Sequence, residues 1–262
     1  MQCPMKFRLI QVDGFREPPS PATTRGTLVH SVLENLYDLP ALERTPGAAS
    51  DLIEPAYEEQ FANNEDFLAM FQDDVLLEKW KEDVRALVQQ YFAMENPTRL
   101  EPHAREKFIR VDITDGISLH GYIDRIDKAP NGALRIVDYK TGKSPKERFI
   151  QETLFQMRFY SLLLDKSEYG LPARTQLVFL GDGRTLTMDP TREEVDAFEH
   201  HLVQIWNDIE DAVRKRYFAP KKQVLCNWCG VQKLCPLYSS ETPEISEEGL
   251  ERLLEIKRSN IG

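Results

Sequence analysis

The sequence lacks any apolar run near the roughly 20 residues that a membrane-spanning helix needs. Its opening stretch, MQCPMKFRLI, also lacks the apolar centre and small-residue cleavage site of a signal peptide. We therefore expect a cytoplasmic protein with no membrane association. Internal repeats and low-complexity tracts are absent too, and 41% of the 262 residues are hydrophobic, enough for a full core.

The chain has fewer basic than acidic residues. The chain has 33 lysines and arginines against 43 aspartates and glutamates, a net charge of −10. A protein that coats nucleic acid nonspecifically needs a broad cationic surface, so this class is excluded. The net charge does not exclude an enzyme that binds nucleic acid in one basic groove and uses its acids to hold a metal ion.

Cysteines are few: Cys3, Cys226, Cys229 and Cys235. In a reducing compartment, such a set is more typical of metal binding or redox chemistry than of structural disulfides. The last three have the spacing C-x2-C-x5-C, and with Cys3 they supply four thiolates. That number suits an iron–sulfur cluster or a zinc ion, and spacing alone does not separate the two.

Hydrophobic periodicity predicts an α/β chain. We expect a first helix over residues 25–39 capped by Thr23 or Thr24, and a helical insert over residues 41–100. Three consecutive strands follow, with Asp115-Gly116 and Asn131-Gly132 as turns. The predicted strands cover residues 105–113, 117–129, 133–140 and 173–182, and the later helices cover residues 146–166, 192–216 and 246–259.

The third predicted strand ends in an acid and an amine. Side chains alternate along a strand, so Asp138 and Lys140 should emerge on one side. Asp124 lies on the preceding strand, and two carboxylates held close together need a counter-ion such as a divalent metal. The plainer alternatives are a surface ion pair at a strand end, and acids (Asp124 and Asp127) that only solubilise a sheet edge.

Two predicted helices carry polar residues four apart. On the first helix, His30 follows Gly26, which would let that helical face approach another element closely. On the helix after the third strand, Gln156 and Tyr160 share a face. Alternatively, His30 is a hydrogen-bonded, partly buried residue, Tyr160 is half-buried, and Gln156 lies on the surface.

Together these segments resemble a known family. RGTLVH, GYIDRID, DYKTGK and QMRFY follow the order and approximate spacing of the RecB-type branch of the PD-(D/E)XK nuclease superfamily, from Arg25 to Tyr160. The resemblance implies a restriction-endonuclease-like core, a mixed central sheet flanked by helices, in which residues 41–100 are the variable insert. We expect one nuclease domain over residues 1–262.

The resemblance also implies roles for individual residues. The ligands of a catalytic Mg²⁺ or Mn²⁺ would be His30, Asp124, Asp138 and the backbone carbonyl of Tyr139. Glu106 would be an accessory acid.

The remaining site residues would serve the reaction and its substrate. Lys140 would orient or activate the attacking water and offset charge on the scissile phosphate. Gln156 and Tyr160 would support the site and touch the DNA backbone.

The cysteine arrangement resembles the iron staple of AddB-type nucleases and of CRISPR adaptation nucleases. The resemblance favours a [4Fe–4S] cluster over zinc. Such a cluster would join the ends of the chain, residues 1–10 with residues 220–240, and couple folding to metal binding.

The function implied is that of a metal-dependent DNA exonuclease acting on single-stranded ends in DNA repair or recombination. No Walker motif is present, so unwinding would need a helicase or repair partner. Basic residues that could guide a strand are Lys143, Lys146, Arg148 and the run Arg214–Lys222. The alternatives are a CRISPR adaptation nuclease, a non-catalytic DNA-binding or assembly subunit, and a zinc-stapled interaction protein.

Overall fold

Five strands form one sheet in the computed structural model of the chain, which describes residues 3–258 and the side chains of residues 3–255. The strands are β1 (Ala104–Ile113), β2 (Ile117–Lys128), β3 (Leu134–Lys140), β4 (Arg174–Phe179) and β5 (Arg184–Met188). The α-helices are α1 (Pro4–Phe7), α2 (Pro21–Leu36), α3 (Pro46–Asp51), α4 (Ile53–Gln60), α5 (Glu65–Leu68), α6 (Asp74–Met94), α7 (Ile150–Asp165), α8 (Arg192–Lys215) and α9 (Glu247–Arg258). A π-helical turn covers Arg8–Val12, and 3₁₀ turns cover Ala41–Glu43, Pro97–Arg99, Thr114–Gly116, Glu147–Phe149, Val224–Trp228 and Gln232–Leu234.

The sheet is mixed, with the strand order β1-β2-β3-β4-β5. Strands β2 and β3 pair antiparallel, with Arg125 opposite Val137, and β4 and β5 also pair antiparallel. Strands β3 and β4 pair parallel, with Lys140 opposite Phe179, and α7 provides the crossover that parallel neighbours require. The predicted α/β architecture with a mixed sheet is confirmed.

Two details differ from the sequence predictions, and a third lies partly outside the described residues. The first helix begins at Pro21 and is capped by Ser20, whose Oγ accepts from the backbone N of Thr23 at 3.2 Å, so neither threonine is the cap. Strand β5 was not predicted, because RTLTM is short and mostly exposed. The final predicted helix ends at Arg258, and Ser259 lies outside the described residues.

The chain divides into two compact units. The sheet unit comprises Pro19–Arg110 and His120–Val195, and the cysteine unit comprises Met1–Pro18, Val111–Leu119 and Asp196–Gly262. The prediction of a single nuclease domain stays a prediction. Within the described residues, none of the helices combines the length and apolarity that crossing a bilayer requires.

The core of the sheet unit lies on both faces of the sheet. On one face, Val137, Tyr139 and Val178 pack against α2, α6 and the other helices of the predicted insert. On the other face, Leu177 and Phe179 pack against Met157 of α7. Because side chains alternate along β4, this strand contributes residues to both cores. The end of β3 lies between α2 and α7.

Candidate active site

His30 of α2 contacts both β2 and β3. Its Nδ1 lies 3.4 Å from Asp124 Oδ2, and its Nε2 lies 2.9 Å from the backbone oxygen of Tyr139. The backbone N of Tyr139 donates to Asp124 Oδ2 at 2.7 Å. Burial lowers the pKa of His30, but the hydrogen bond and charge of Asp124 outweigh it and raise the pKa to about 9.

Glu106 of β1 completes a group of donors. His30, Glu106 and Asp124 each offer one ligand atom, and these atoms all lie within 4.8 Å of one another. Burial and the charge of Asp124 raise the pKa of Glu106 to about 7. Its backbone has a φ of 39°, in the left-handed region that non-glycine residues rarely adopt, so local strain lies at this site.

Asp138 and Lys140 emerge on the same side of β3, as their spacing predicts. Lys140 Nζ lies 2.8 Å from Asp138 Oδ2, and Asp138 is only 2% exposed, so this is not a surface ion pair. Burial and the charge of Asp124 raise the pKa of Asp138, although Lys140 partly offsets them. Asp138 lies outside the three-donor group, whereas Glu106, expected only as an accessory acid, belongs to it.

The two predicted residues of α7 face this pair. Gln156 Nε2 donates to the hydroxyl of Tyr160 at 3.0 Å, and that hydroxyl hydrogen-bonds to the carboxylate of Asp138. Burial and the charge of Asp138 raise the pKa of Tyr160, which keeps the phenol protonated and able to donate. Gln156 and Tyr160 therefore support the buried end of the site.

A buried polar network under the site was not anticipated. Arg125 is 1% exposed and pairs with Glu95 at 2.7 Å and with Asp127 at 3.0 Å. Tyr139 OH donates to Glu95 Oε2 at 3.0 Å and also contacts Arg125. Asp127 also pairs with Arg135, so it does not merely solubilise an edge. The available signal was an arginine between two acids, Asp124 and Asp127, within a strand.

The loop after Lys140 is held against the end of β4. Leu180 N donates to Lys140 O at 2.8 Å, and Gly181 N donates to Gly142 O at 3.2 Å. Ser144 also donates to Asp182 Oδ2 through its backbone N at 3.1 Å and its hydroxyl at 2.6 Å. These contacts extend the β3–β4 pairing into the loop and position it.

Glycine is required on one side of this loop. A Cβ added to Gly181 would lie 2.6 Å from the backbone carbon of Gly142, closer than atoms approach in proteins. At Gly26, where we expected a close approach, an added Cβ would meet Thr141 Oγ1 at an ordinary 3.5 Å. The packing at Gly26 therefore leaves room for a side chain, contrary to expectation. The close backbone approach that requires glycine occurs at Gly181 instead.

The predicted basic residues fall into two groups. Lys143, Lys146 and Arg148 are exposed, and Lys143 lines a cleft of about 400 Å³ shared with His30 and Lys140. In the cysteine unit, Arg214, Lys215 and Arg216 contact Glu210, Asp211 and Glu247 respectively. Acids thus offset the positive charge at the start of the Arg214–Lys222 run.

The four cysteines, all in the cysteine unit, line one pocket of about 180 Å³. Burial raises the pKa of Cys235, as does the proximity of Cys3, Cys229 and Cys226, although a hydrogen bond from Leu237 N opposes them. Among the described residues, no three of these sulfurs lie within 4.8 Å of one another.

Comparisons with known proteins identify the family of this chain. A profile of the PD-(D/E)XK nuclease superfamily matches residues 1–236. The chain belongs to this superfamily. The "Gene 69 protein" of Mycobacterium phage D29 is 23% identical, with 90% of this chain and 93% of the relative aligned. The "Gene 69 protein" of Mycobacterium phage L5 is 27% identical over 47% of this chain and 41% of the relative.

A solved structure titled "Crystal structure of SSO0001" aligns with 83% of this chain and 98% of its own, with a TM-score of 0.39 and 16% identity.

PD-(D/E)XK nucleases generally use Mg²⁺ or Mn²⁺, and the residues present fit such an ion. Carboxylate oxygens suit hard divalent cations, and an imidazole is compatible with Mn²⁺. Burial and the negative charge of Asp124 raise the pKa of both Glu106 and Asp138, and a bound cation would offset that negative charge.

Proposed function

We propose that this PD-(D/E)XK protein is a metal-dependent DNA exonuclease of RecB type that acts on single-stranded ends, in DNA repair or recombination. One observation carries the proposal. Lys140 is held 2.8 Å from the buried carboxylate of Asp138, which in turn is electrostatically coupled to Asp124. A protein that only binds nucleic acid has no evident need for a lysine positioned in this way.

The proposed metal site uses donors from four elements. His30, Glu106 and Asp124 would hold a Mg²⁺ or Mn²⁺ ion, with Asp138 and the carbonyl of Tyr139 as further ligands. When bound, such an ion supplies Lewis acidity toward the scissile phosphate. To act as a ligand, His30 must first give up its contact with Asp124 or with Tyr139 O.

The other residues would orient the reacting groups and stabilise the charge that develops on the phosphate. The ammonium group of Lys140 would orient the attacking water and offset negative charge that develops on the phosphate. Asp138 fixes that ammonium, and Tyr160, held by Gln156, fixes Asp138. Lys143, Lys146 and Arg148 would contact phosphates of the incoming strand.

The decisive experiment is a cleavage assay on end-labelled single-stranded DNA with Mg²⁺ or Mn²⁺. We expect Lys140→Ala to abolish cleavage and retain the fold, whereas Lys128→Ala, an exposed lysine at the far end of β2, retains both. If the wild type binds DNA but cleaves it with neither metal, the protein is a DNA-binding or assembly subunit instead. Cleavage confined to spacer-like precursors would favour the CRISPR adaptation alternative.

We propose that the four cysteines hold a [4Fe–4S] cluster rather than zinc. In a tetrahedral zinc site with Zn–S distances of about 2.3 Å, the sulfurs lie about 3.8 Å apart. No three of the described sulfurs lie within 4.8 Å of one another. The preference for a cluster rests on the resemblance of the cysteine pattern to the iron staple, and the shared pocket that the four cysteines line is compatible with it. The cluster would tie residues 1–10 to residues 220–240, with a structural role.

Anaerobic purification followed by visible absorption and metal analysis tests the cluster. We expect about four irons and four sulfides per chain, lost in Cys235→Ser. One zinc per chain without iron would establish the zinc alternative. Protein free of both metals would leave the cysteines as free thiols.

A further inference from the structure

Large aromatic rings are exposed on β1 and β2. Phe108 is 47% exposed and Tyr122 is 59% exposed, yet their ring centroids lie 5.1 Å apart. The ring of His120 lies 6.0 Å from that of Phe108. The three rings form a continuous surface, the aromatic platform. Adjacent exposed aromatic residues, unlike isolated ones, mark interaction surfaces.

The aromatic platform begins beside the donor group. Phe108 follows Glu106 by two residues in β1, and Tyr122 precedes Asp124 by two residues in β2. Two residues advance a strand by about 7 Å. A nucleic-acid strand bound over these rings therefore lies close to the proposed hydrolytic site.

Packing of the core does not account for these rings. The intervening residues of β2 serve the core: Ile123 is fully buried, and Gly121 lies against Leu163 and Phe159 of α7. Tyr122, between them, projects away from that packing and stays exposed. The ring of Tyr122 is therefore accessible to a ligand.

We propose that Phe108, Tyr122 and His120 stack against bases of a single-stranded nucleic acid whose backbone leads to the Glu106–Asp124 acids. The inference rests on the proposed nuclease function. Every base has a π-face, so stacking on aromatic rings binds single strands without sequence preference. In a duplex these faces are already occupied by neighbouring bases. Stacking on rings needs no positive charge, which suits a chain of net charge −10 whose acids beside the platform repel phosphates.

The test compares two fluorescein-labelled probes of equal length, oligothymidylate and an abasic oligomer with the same phosphates. Binding is measured by anisotropy with Ca²⁺ in place of Mg²⁺ or Mn²⁺, and the probes are checked for cleavage afterwards. We expect the wild type to bind oligothymidylate at least about tenfold more tightly than the abasic oligomer. Equal binding of the two probes would overturn the proposal.

Substitutions at one position separate stacking from general apolar contact. Tyr122→Phe keeps the ring and should keep the preference for oligothymidylate. Tyr122→Leu keeps apolar area without a π-face and should lower the preference about tenfold. Because Tyr122 is largely exposed, both variants should fold, which thermal melts verify; Phe108→Leu repeats the test independently. Identical behaviour of the Phe and Leu variants would refute stacking.

Cleavage measured on the same wild-type preparation keeps the two proposals apart. If the base preference and its Tyr122 dependence are present but nothing is cleaved, the nuclease proposal fails and the platform stands. If the protein cleaves DNA without any base preference, the platform fails and the nuclease proposal stands. A dimer, detected by light scattering and lost in Tyr122→Leu, with DNA binding unchanged, would make the rings a contact between two copies.

Discussion

Gly181→Ala tests whether the end of β4 positions the loop that follows Lys140. The added methyl carbon would lie 2.6 Å from Gly142 C, 2.7 Å from Gly142 O and 2.9 Å from Lys143 N. All three atoms belong to the backbone, so no side-chain rotation relieves the overlap. Either the loop or the end of β4 must move.

The size of that movement follows from the distances. Ordinary contacts begin at 3.4 Å, so the backbone must retreat by about 0.8 Å. Overpacking of this kind costs about 1–3 kcal/mol of folding free energy. A misplacement near 1 Å beside reacting groups lowers rates by up to about 100-fold. We therefore expect reduced stability, and a larger relative loss of the proposed cleavage activity.

Gly26→Ala is the matched control, because Gly26 faces the same loop from α2. Its added methyl would lie 3.5 Å from Thr141 Oγ1, an ordinary contact, and alanine favours a helix interior by about 1 kcal/mol over glycine. We expect this variant to be as stable as the wild type or more stable, with cleavage retained. Urea unfolding gives the stability change, and single-turnover cleavage of end-labelled DNA gives the rate.

The reasoning fails if Gly181→Ala cleaves DNA at the wild-type rate, because the loop position would then not matter to the site. It also fails if the two alanine variants lose activity to the same extent. A loss of stability at Gly181 with the rate unchanged would assign the contact to folding alone.

Two further predictions concern stability. Ser20→Ala should lower the free energy of unfolding by about 1 kcal/mol, measured in urea, whereas Thr24→Ala should have a smaller effect if Ser20 is the cap. Burial raises the pKa of Glu95, but hydrogen bonds from Arg125 outweigh it, so the folded-state pKa lies below the usual 4.5. Ionised Glu95 therefore stabilises the fold above pH 4.5, and this contribution disappears as the pH falls through the lowered pKa. Glu95→Gln should cost about 3 kcal/mol at pH 7 and flatten the acid-side decline in a pH series of unfolding midpoints; an unchanged slope would contradict the assignment.

Local sequence patterns were sufficient to predict much of the site geometry. Alternation along β3 predicts that Asp138 and Lys140 emerge together, and helical spacing predicts that Gln156 reaches Tyr160. Both follow from geometry within one element. The pairing of β2 with β3 follows from the Asn131-Gly132 turn, whose Gly132 has a φ of 87°.

The rest depends on contacts between distant segments. Glu106 belongs to the donor group although its backbone is distorted, and no periodicity in the sequence encodes that distortion. Glu95, the partner of Arg125, directly follows α6 and lies 30 residues earlier in the chain, within the predicted insert. The requirement for Gly181 arises only once β4 lies parallel to β3, although the GDG sequence after an apolar run does signal a turn.

Three departures from local rules lie at one end of the sheet. Asp138 is a carboxylate buried at a cost that Lys140 only partly offsets, and Glu106 has a strained backbone. The backbone of Gly142 leaves Gly181 no room for a side chain. Folded proteins keep such features where function requires them, since each one lowers stability. Their coincidence supports a reactive site here on grounds independent of motif spacing. It also disfavours a purely binding role, because phosphate binding needs an exposed cation and not a lysine held by a buried acid.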